Sequence, residues 1–196
     1  MRVIYVKPTS DGKRFVIGVS DGYVKLRYSV SHPLYSSLEI LVGDEIDDEM
    51  HEIIKDDDQR YRCMRDALSY LAYADNNRRT LYVKLIRHGY SRDMATDAVE
   101  ECLRLGYINE LEQLKRVIVK EADKLRGRAY IFKKLASKGY SASMINRALD
   151  ELIDSGDVDF SANLQTLLYK NDCQSEEERK KLMHKYGYSI RDTYDD

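Results

Sequence analysis

The chain has 196 residues, 43% of them hydrophobic and 34% charged, with 16 tyrosines, no tryptophan and a formal charge of −2 at pH 7. That length supports a sizeable core, as one domain or as a small domain plus an array, and the near-neutral balance does not mark a nucleic-acid binder by bulk electrostatics. Three scattered cysteines, Cys63, Cys102 and Cys173, argue against a disulfide scaffold. No apolar run approaches the ~20 residues of a membrane span, and the first residues, MRVIYVKPTSDG, lack a signal-peptide core, so the expected location is the cytoplasm.

The first thirty residues alternate in the manner of strands. RVIYVKP, RFVIGVSD and GYVKLRYSV are short, rich in Val, Ile and Tyr, and separated by Asp11-Gly12 and Asp21-Gly22. This pattern predicts a small antiparallel meander, which must pack on something to be stable. Residues 31–58 read as a connector with a short helix or two, one ended at Gly43 and the next begun on acids that suit a helix N-terminus. This connector is strongly acidic: residues 44–58 hold nine carboxylates against Lys55.

From residue 59 the helical period takes over, and the sequence repeats at a spacing of fifty. RRTLYVKLIRHGYSRDMATDAVEECLRLGYI, starting at Arg78, lies without a gap over RAYIFKKLASKGYSASMINRALDELIDSGDV, starting at Arg128, with ten identities. These include Lys84/Lys134, Leu85/Leu135, Gly89/Gly139, Tyr90/Tyr140 and Ser91/Ser141. A worn third copy follows in KKLMHKYGYS, ending at Ser189. Fixed-period self-similarity is the signature of stacked supersecondary units that cannot bury their apolar faces alone.

Each copy predicts three helices. The first spans 61–74 and then 110–126, the second 78–88 and then 128–138, with Asn77 and Gly127 as caps. Between second and third helices, Gly89 and Gly139 suit a left-handed helix stop, while Ser91 and Ser141 cap the next helix. Tyr90 and Tyr140 are expected to pack over the corner. Gly106 and Gly156 end the third helices, and Cys102, aligned with Leu152, reads as core. In the third copy the expected helices are 164–170 and 175–186, with a stunted last helix in the seven residues after Ser189.

Templates for chemistry fail. His32, His51, His88 and His184 have no Cys or His partner at metal-ligand spacing, and the glycines fall singly rather than in a phosphate-cradling loop. Ser91 and Ser141 lack a nucleophile-elbow context. The pairs Glu100-Glu101 and Asp150-Glu151 point about 100° apart on a helix and make poor acid and base partners. The expectation is therefore a protein that is not an enzyme and uses no cofactor or metal.

What survives is a basic column. Arg78 and Arg128 begin equivalent helices with Lys84 and Lys134 six residues on, and Lys115, Arg116, Lys120 and Lys124 form a ridge opposite Leu114, Ile118 and Leu125. Residues 115–138 hold nine bases against Glu121 and Asp123. A polyphosphate or an acidic protein groove suits such a surface equally; the alternative is that these cations only solvate the helices.

The order and spacing of Ala67-Leu68-Ser69-Tyr70-Leu71-Ala72, Leu81…Lys84-Leu85…Gly89-Tyr90-Ser91, Gly106-Tyr107-Ile108-Asn109-Glu110 and Ile131…Lys134-Leu135…Gly139-Tyr140-Ser141…Ala148-Leu149 resemble the RecX family of bacterial RecA regulators. The resemblance covers essentially the whole chain. Where the family has an Arg-x-Arg-Ser step before the second helix, this chain has Ala74, Asp75, Asn76 and Asn77. The resemblance implies a mainly α protein of tandem three-helix repeats in an elongated array, preceded by the small antiparallel meander. Its divisions are residues 1–58, 59–109, 110–160 and a truncated 161–196. It further implies a monomeric inhibitor lying in the groove of a RecA filament on single-stranded DNA, with single-stranded DNA as a further partner. Arg78, Lys84, Lys115, Arg116, Lys120, Arg126, Arg128, Lys133 and Lys134 form the expected contact set. Direct nucleic-acid binding by the middle repeat and a general protein-interaction scaffold are the alternatives, although acidic third helices suit a base-reading helix poorly.

Overall fold

The computed structural model describes residues 1–173 and 175–189. The expected seven residues after Ser189 lie outside the described residues. The fold is mainly helical behind a small antiparallel sheet, as the periods predict. The chain divides into two compact units, residues 1–74 with 81–105, and residues 75–80 with the chain from Gly106 onward.

In the first unit, β1 (Arg2–Pro8), β2 (Arg14–Ser20) and β3 (Lys25–Ser31) run antiparallel in the order β1-β2-β3. Val3 faces Val19, and Phe15 faces Val30, so one face gathers Val3, Ile17, Val19, Tyr28 and Val30 into a core closed by Ile40, Ile46 and Ile54. Both sheet edges are covered. At the β1 edge, Val3 donates to Asp44 and accepts from Gly43 through backbone groups. At the β3 edge, the amides of Ser29 and Ser31 donate to the carboxylates of Asp58 and Asp57, each at 2.8 Å. Exposed strand amides are otherwise templates for unwanted pairing, and these two carboxylates remove the template.

Asp57 and Asp58 belong to α2 (Asp48–Tyr73), a single 26-residue helix. The helix expected to begin on the acids does so, but it runs on unbroken through the helix expected over 61–74, so the two are one. Asp47 caps it by accepting from Met50, and Asp48 and Glu49 sit in its first turn, where the helix dipole favours carboxylates. The short helix before it, α1 (His32–Leu38), ends five residues ahead of the expected Gly43, with Glu39 left-handed at φ 50°. Pro33 opens α1, and Gly43 instead turns the loop that bonds β1. Helix α3 (Arg78–His88) has the predicted bounds, and α4 (Arg92–Arg104) packs on α2. Cys63, Ala67, Leu81, Leu85, Ala95 and Cys102 are fully buried.

The second unit holds α5 (Glu110–Ala122), α6 (Arg128–Ser137), α7 (Ala142–Asp154), α8 (Phe160–Asn171) and α9 (Glu176–Tyr186). Leu114, Ile118, Ile131, Leu135, Ile145 and Leu149 form its main core, and Leu164, Leu167, Met183 and Tyr188 a second cluster. Helix α5 stops four residues short of the expected 126. Leu125 adopts φ 60°, and the Arg126 amide reaches back to the Glu121 carbonyl at 3.2 Å, closing the helix in a Schellman turn. A leucine takes this left-handed place because its side chain packs on the Leu164 cluster, which offsets the ~1–2 kcal/mol cost of the conformation.

Candidate functional site

The corner between second and third helices is built alike in the first two copies. Gly89 and Gly139 lie at φ 106° and 93°, a region open to glycine at little cost. Ser91 and Ser141 accept from the amides of Met94 and Met144, so both hydroxyls are committed to capping. Tyr90 donates to Asp66 Oδ2 at 2.7 Å, and Tyr140 to Gln113 Oε1 at 3.2 Å. Burial pushes both phenols up in pKa, and for Tyr90 the bond to Asp66 adds to it.

Within the second unit, each corner also receives the segment that leads into the preceding copy's second helix. Asn77 caps α3 by accepting from the Thr80 amide, and its own amide donates to the Lys138 carbonyl at 3.0 Å. The side chain of Arg79 lies over Gly139, so close that a Cβ there would meet Arg79 Cδ. Fifty residues on, the Gly127 amide donates to the Tyr186 carbonyl at 2.8 Å and the Ala129 amide to the Gly187 carbonyl at 3.2 Å. A second clasp has donors fifty residues apart but acceptors that are not in register: Gln113 donates to the Asn76 carbonyl, and Asn163 to that of Ala122, both at 3.2 Å.

Most of the nine predicted contact cations have partners of their own. Lys115 bridges Glu151 at 2.8 Å, Arg116 bridges Asp75 at 2.8 Å, Arg128 bridges Asp150 at 2.8 Å, and Lys134 bridges the buried Glu121 at 2.9 Å. Glu121 is held below the usual carboxylate range by its bond to Lys124 and then by Lys134. Lys84 sits over the Tyr70 ring at 5.3 Å, and Arg126 lies between the rings of Tyr130 and Tyr186, 4.5 Å from each. Arg78, Lys120 and Lys133 are exposed and have no side-chain partner among the described residues.

The structure brings Lys115, Arg116 and Lys120 together in one open groove along α5 and α7, where Glu112, Asp123 and Glu151 are interleaved with them. The groove is therefore mixed in charge rather than cationic. A second lining lies outside the predicted set, in the first unit, where Arg27 of β3 meets Arg62 and Arg65 of α2 beside Asp58 and the half-exposed Tyr61, with Arg62 bridged to Asp58 and Arg65 to Asp66. Strand and helix residues 35 apart share no sequence period, so no signal in the sequence joins them. Among the described residues no cluster of His, Cys, Asp and Glu is arranged to hold a metal, and no helix is long and apolar enough to cross a membrane.

No family model matches the chain. The protein of Clostridium tetani named Regulatory protein RecX is 25% identical over 175 residues, covering 89% of this chain and 79% of that protein. Its namesake in Lactobacillus gasseri is 28% identical over 148 residues, 74% of this chain, and the match spans about half of that longer relative, 53%. A crystal structure of regulatory protein RecX shares the fold with a TM-score of 0.71 over 97% of this chain and 96% of that one, at 16% identity. The crystal structure of RecX from Lactobacillus salivarius does so with a TM-score of 0.58 over 69% and 92%, at 19% identity.

Proposed function

We propose, from the similarity of this chain to proteins named Regulatory protein RecX, that it is a member of the RecX family and a non-enzymatic, cytoplasmic regulator of a RecA recombinase, an inhibitor that lies in the groove of the RecA filament on single-stranded DNA. The observation that carries this reading is the match to proteins named Regulatory protein RecX along most of the chain. Its side chains support a binding role. Ser91 and Ser141 are engaged as helix caps and His51 is hydrogen-bonded to Tyr28 at 2.8 Å, so these groups serve the fold rather than a nucleophile and base. Tandem repeats suit a periodic partner, since successive weak contacts on one chain gain from high effective concentration. Occupying the groove obstructs filament growth and nucleotide turnover with no reacting group.

Within the nine-residue contact set, Arg78, Lys120 and Lys133 are the cations whose charge is free to meet a partner. Reversing Lys134 would bring a second carboxylate against buried Glu121 and so test stability instead. The discriminating variant is therefore R78E/K120E/K133E, assayed against the DNA-dependent ATPase of RecA. Inhibition is expected to be lost while circular dichroism and melting temperature stay unchanged. Full inhibition by the triple variant would refute this contact surface.

A further inference from the structure

The sheet of the first unit buries one face, and its other face carries chemistry that the core does not use. On the buried side Val3, Ile17, Val19, Tyr28 and Val30 pack together. Strand residues alternate between faces, so Gly18, Lys25, Arg27 and Ser29 point the other way. Strand pairing sets this outer face in two rows, Tyr5-Gly18-Arg27 and Lys7-Val16-Ser29, with Lys25 two residues from Arg27 along β3. Neither row contains a carboxylate.

Two devices place an aromatic ring there. Val3 and Tyr5 are two residues apart and would share a face, but a register shift between them turns Tyr5 and Lys7 outward while Val3 stays in the core. Opposite Tyr5, Gly18 lacks the side chain that would collide: a Cβ at Gly18 would fall within the Tyr5 ring. Glycine weakens a strand interior, and here it lets the ring lie across the sheet. Cations flank that ring. Lys7 Nζ lies 5.9 Å from its centroid, and Arg27 is the next side chain across Gly18. Lys7, Lys25 and Arg27 are exposed and have no ion-pair partner among the described residues. Helix α2 raises one wall beside Arg27, where Tyr61 is 40% exposed with the Arg14 guanidinium over its ring at 4.2 Å. Asp58, the acid in this groove, is already engaged by Arg62 and by the Ser29 amide.

We infer that this outer face binds single-stranded nucleic acid, with a base stacked on Tyr5 and backbone phosphates on Lys7, Lys25 and Arg27. A ring on a sheet surface recruits a base only when that base is free of a duplex stack, and it does so without reading sequence. An acidic protein segment would satisfy the cations but leave the ring unused. The inference goes beyond the RecA reading, since it needs neither RecA nor any of the nine predicted contact cations. Three phosphates at about 0.7 each give a slope of log affinity against log salt of about −2. So small a site binds in the range of a non-specific contact, about 10⁻⁴–10⁻⁶ M at physiological salt, too weakly to carry the protein into a pellet with bare DNA.

Fluorescence anisotropy of labelled oligothymidylate, titrated with the full chain at low salt and without RecA, tests this. The natural chain is expected to bind with the salt slope given above. Tyr5→Leu keeps an apolar cover over Gly18 and is expected to weaken binding about 5- to 150-fold, the worth of one stacked base, with the slope unchanged. Lys7→Gln and Arg27→Gln are each expected to make the slope shallower by about 0.7. Circular dichroism checks the folds, and should one variant unfold, the others still decide. A natural chain that does not bind overturns the inference, as does a Tyr5→Leu chain that binds like it. Loss of binding in R78E/K120E/K133E with Arg27→Gln unaffected places the strand on the second unit, and the inference falls. It falls too if polyglutamate of equal charge displaces the oligonucleotide, because the face is then a dock for acidic protein. RecA inhibition without oligonucleotide binding overturns this inference alone, and oligonucleotide binding without RecA inhibition overturns the RecA reading alone.

Discussion

The same three residues, Gly-Tyr-Ser, are anchored in chemically different ways in the first and second copies. Tyr90 donates a hydrogen bond to the carboxylate of Asp66, and the His88 ring stacks on the Tyr90 ring at 5.2 Å. Tyr140 bonds the neutral amide of Gln113. The residue fifty positions after Asp66 is Arg116, which reaches Asp75, and the one fifty before Gln113 is Cys63. The glycine and serine set each corner's geometry, whereas the tyrosine's anchor changes freely as long as the first helix supplies an acceptor within reach.

The comparison breaks most readily at what the copies share. Leu85 and Leu135 are both fully buried, so Leu85→Ala and Leu135→Ala are each expected to lose about 2–5 kcal/mol in chemical denaturation. A large loss at one and none at the other would end the equivalence of the two cores. The tyrosine anchors sharpen it. Tyr90→Phe deletes a bond to a charged acceptor and is expected to cost about 1.5–3 kcal/mol, whereas Tyr140→Phe costs about 0.5–1.5 kcal/mol. The reverse order in the same denaturation assay would contradict the assignment of anchors.

A smaller effect concerns acid. Glu121 has a folded-state pKa below its ordinary value of 4.5, owing to Lys124 first and Lys134 after it. Its stabilisation is therefore complete above the unfolded value and is lost as pH falls through the lowered folded value. In Lys134→Ala the folded value moves back toward 4.5, so melting temperature is expected to fall less steeply with acid than in the natural chain. Parallel curves would remove Lys134 from the pair. Least disruptive is thiol labelling. Burial pushes Cys63 up to about 11 and raises Cys102 as well, whereas Cys173 is partly exposed. Mass spectrometry after native alkylation is expected to find Cys173 modified, and rapid labelling of Cys63 would contradict its place in the core.

The sequence made the repeat and its corners readable because each rests on local chemistry: a glycine stop, a serine cap and leucines at helical spacing. The bounds of α3 follow from Asn77 and Gly89 alone. The length of α2 was hidden because nine carboxylates in fifteen residues look like solvated chain. Their use appears only when Asp57 and Asp58 meet the amides of Ser31 and Ser29, some 26 and 29 residues away. The partners of the basic column are out of sight for the same reason. Counting charges over residues 115–138 cannot see Asp75, Asp150 and Glu151, which bridge Arg116, Arg128 and Lys115 through space.

The central functional claim is tested most directly by sedimenting the protein with RecA assembled on single-stranded DNA, beside matched tubes lacking RecA or lacking DNA. The protein is expected in the pellet only when both are present. Recovery in the supernatant of the complete mixture, or in the pellet with DNA alone, would contradict it.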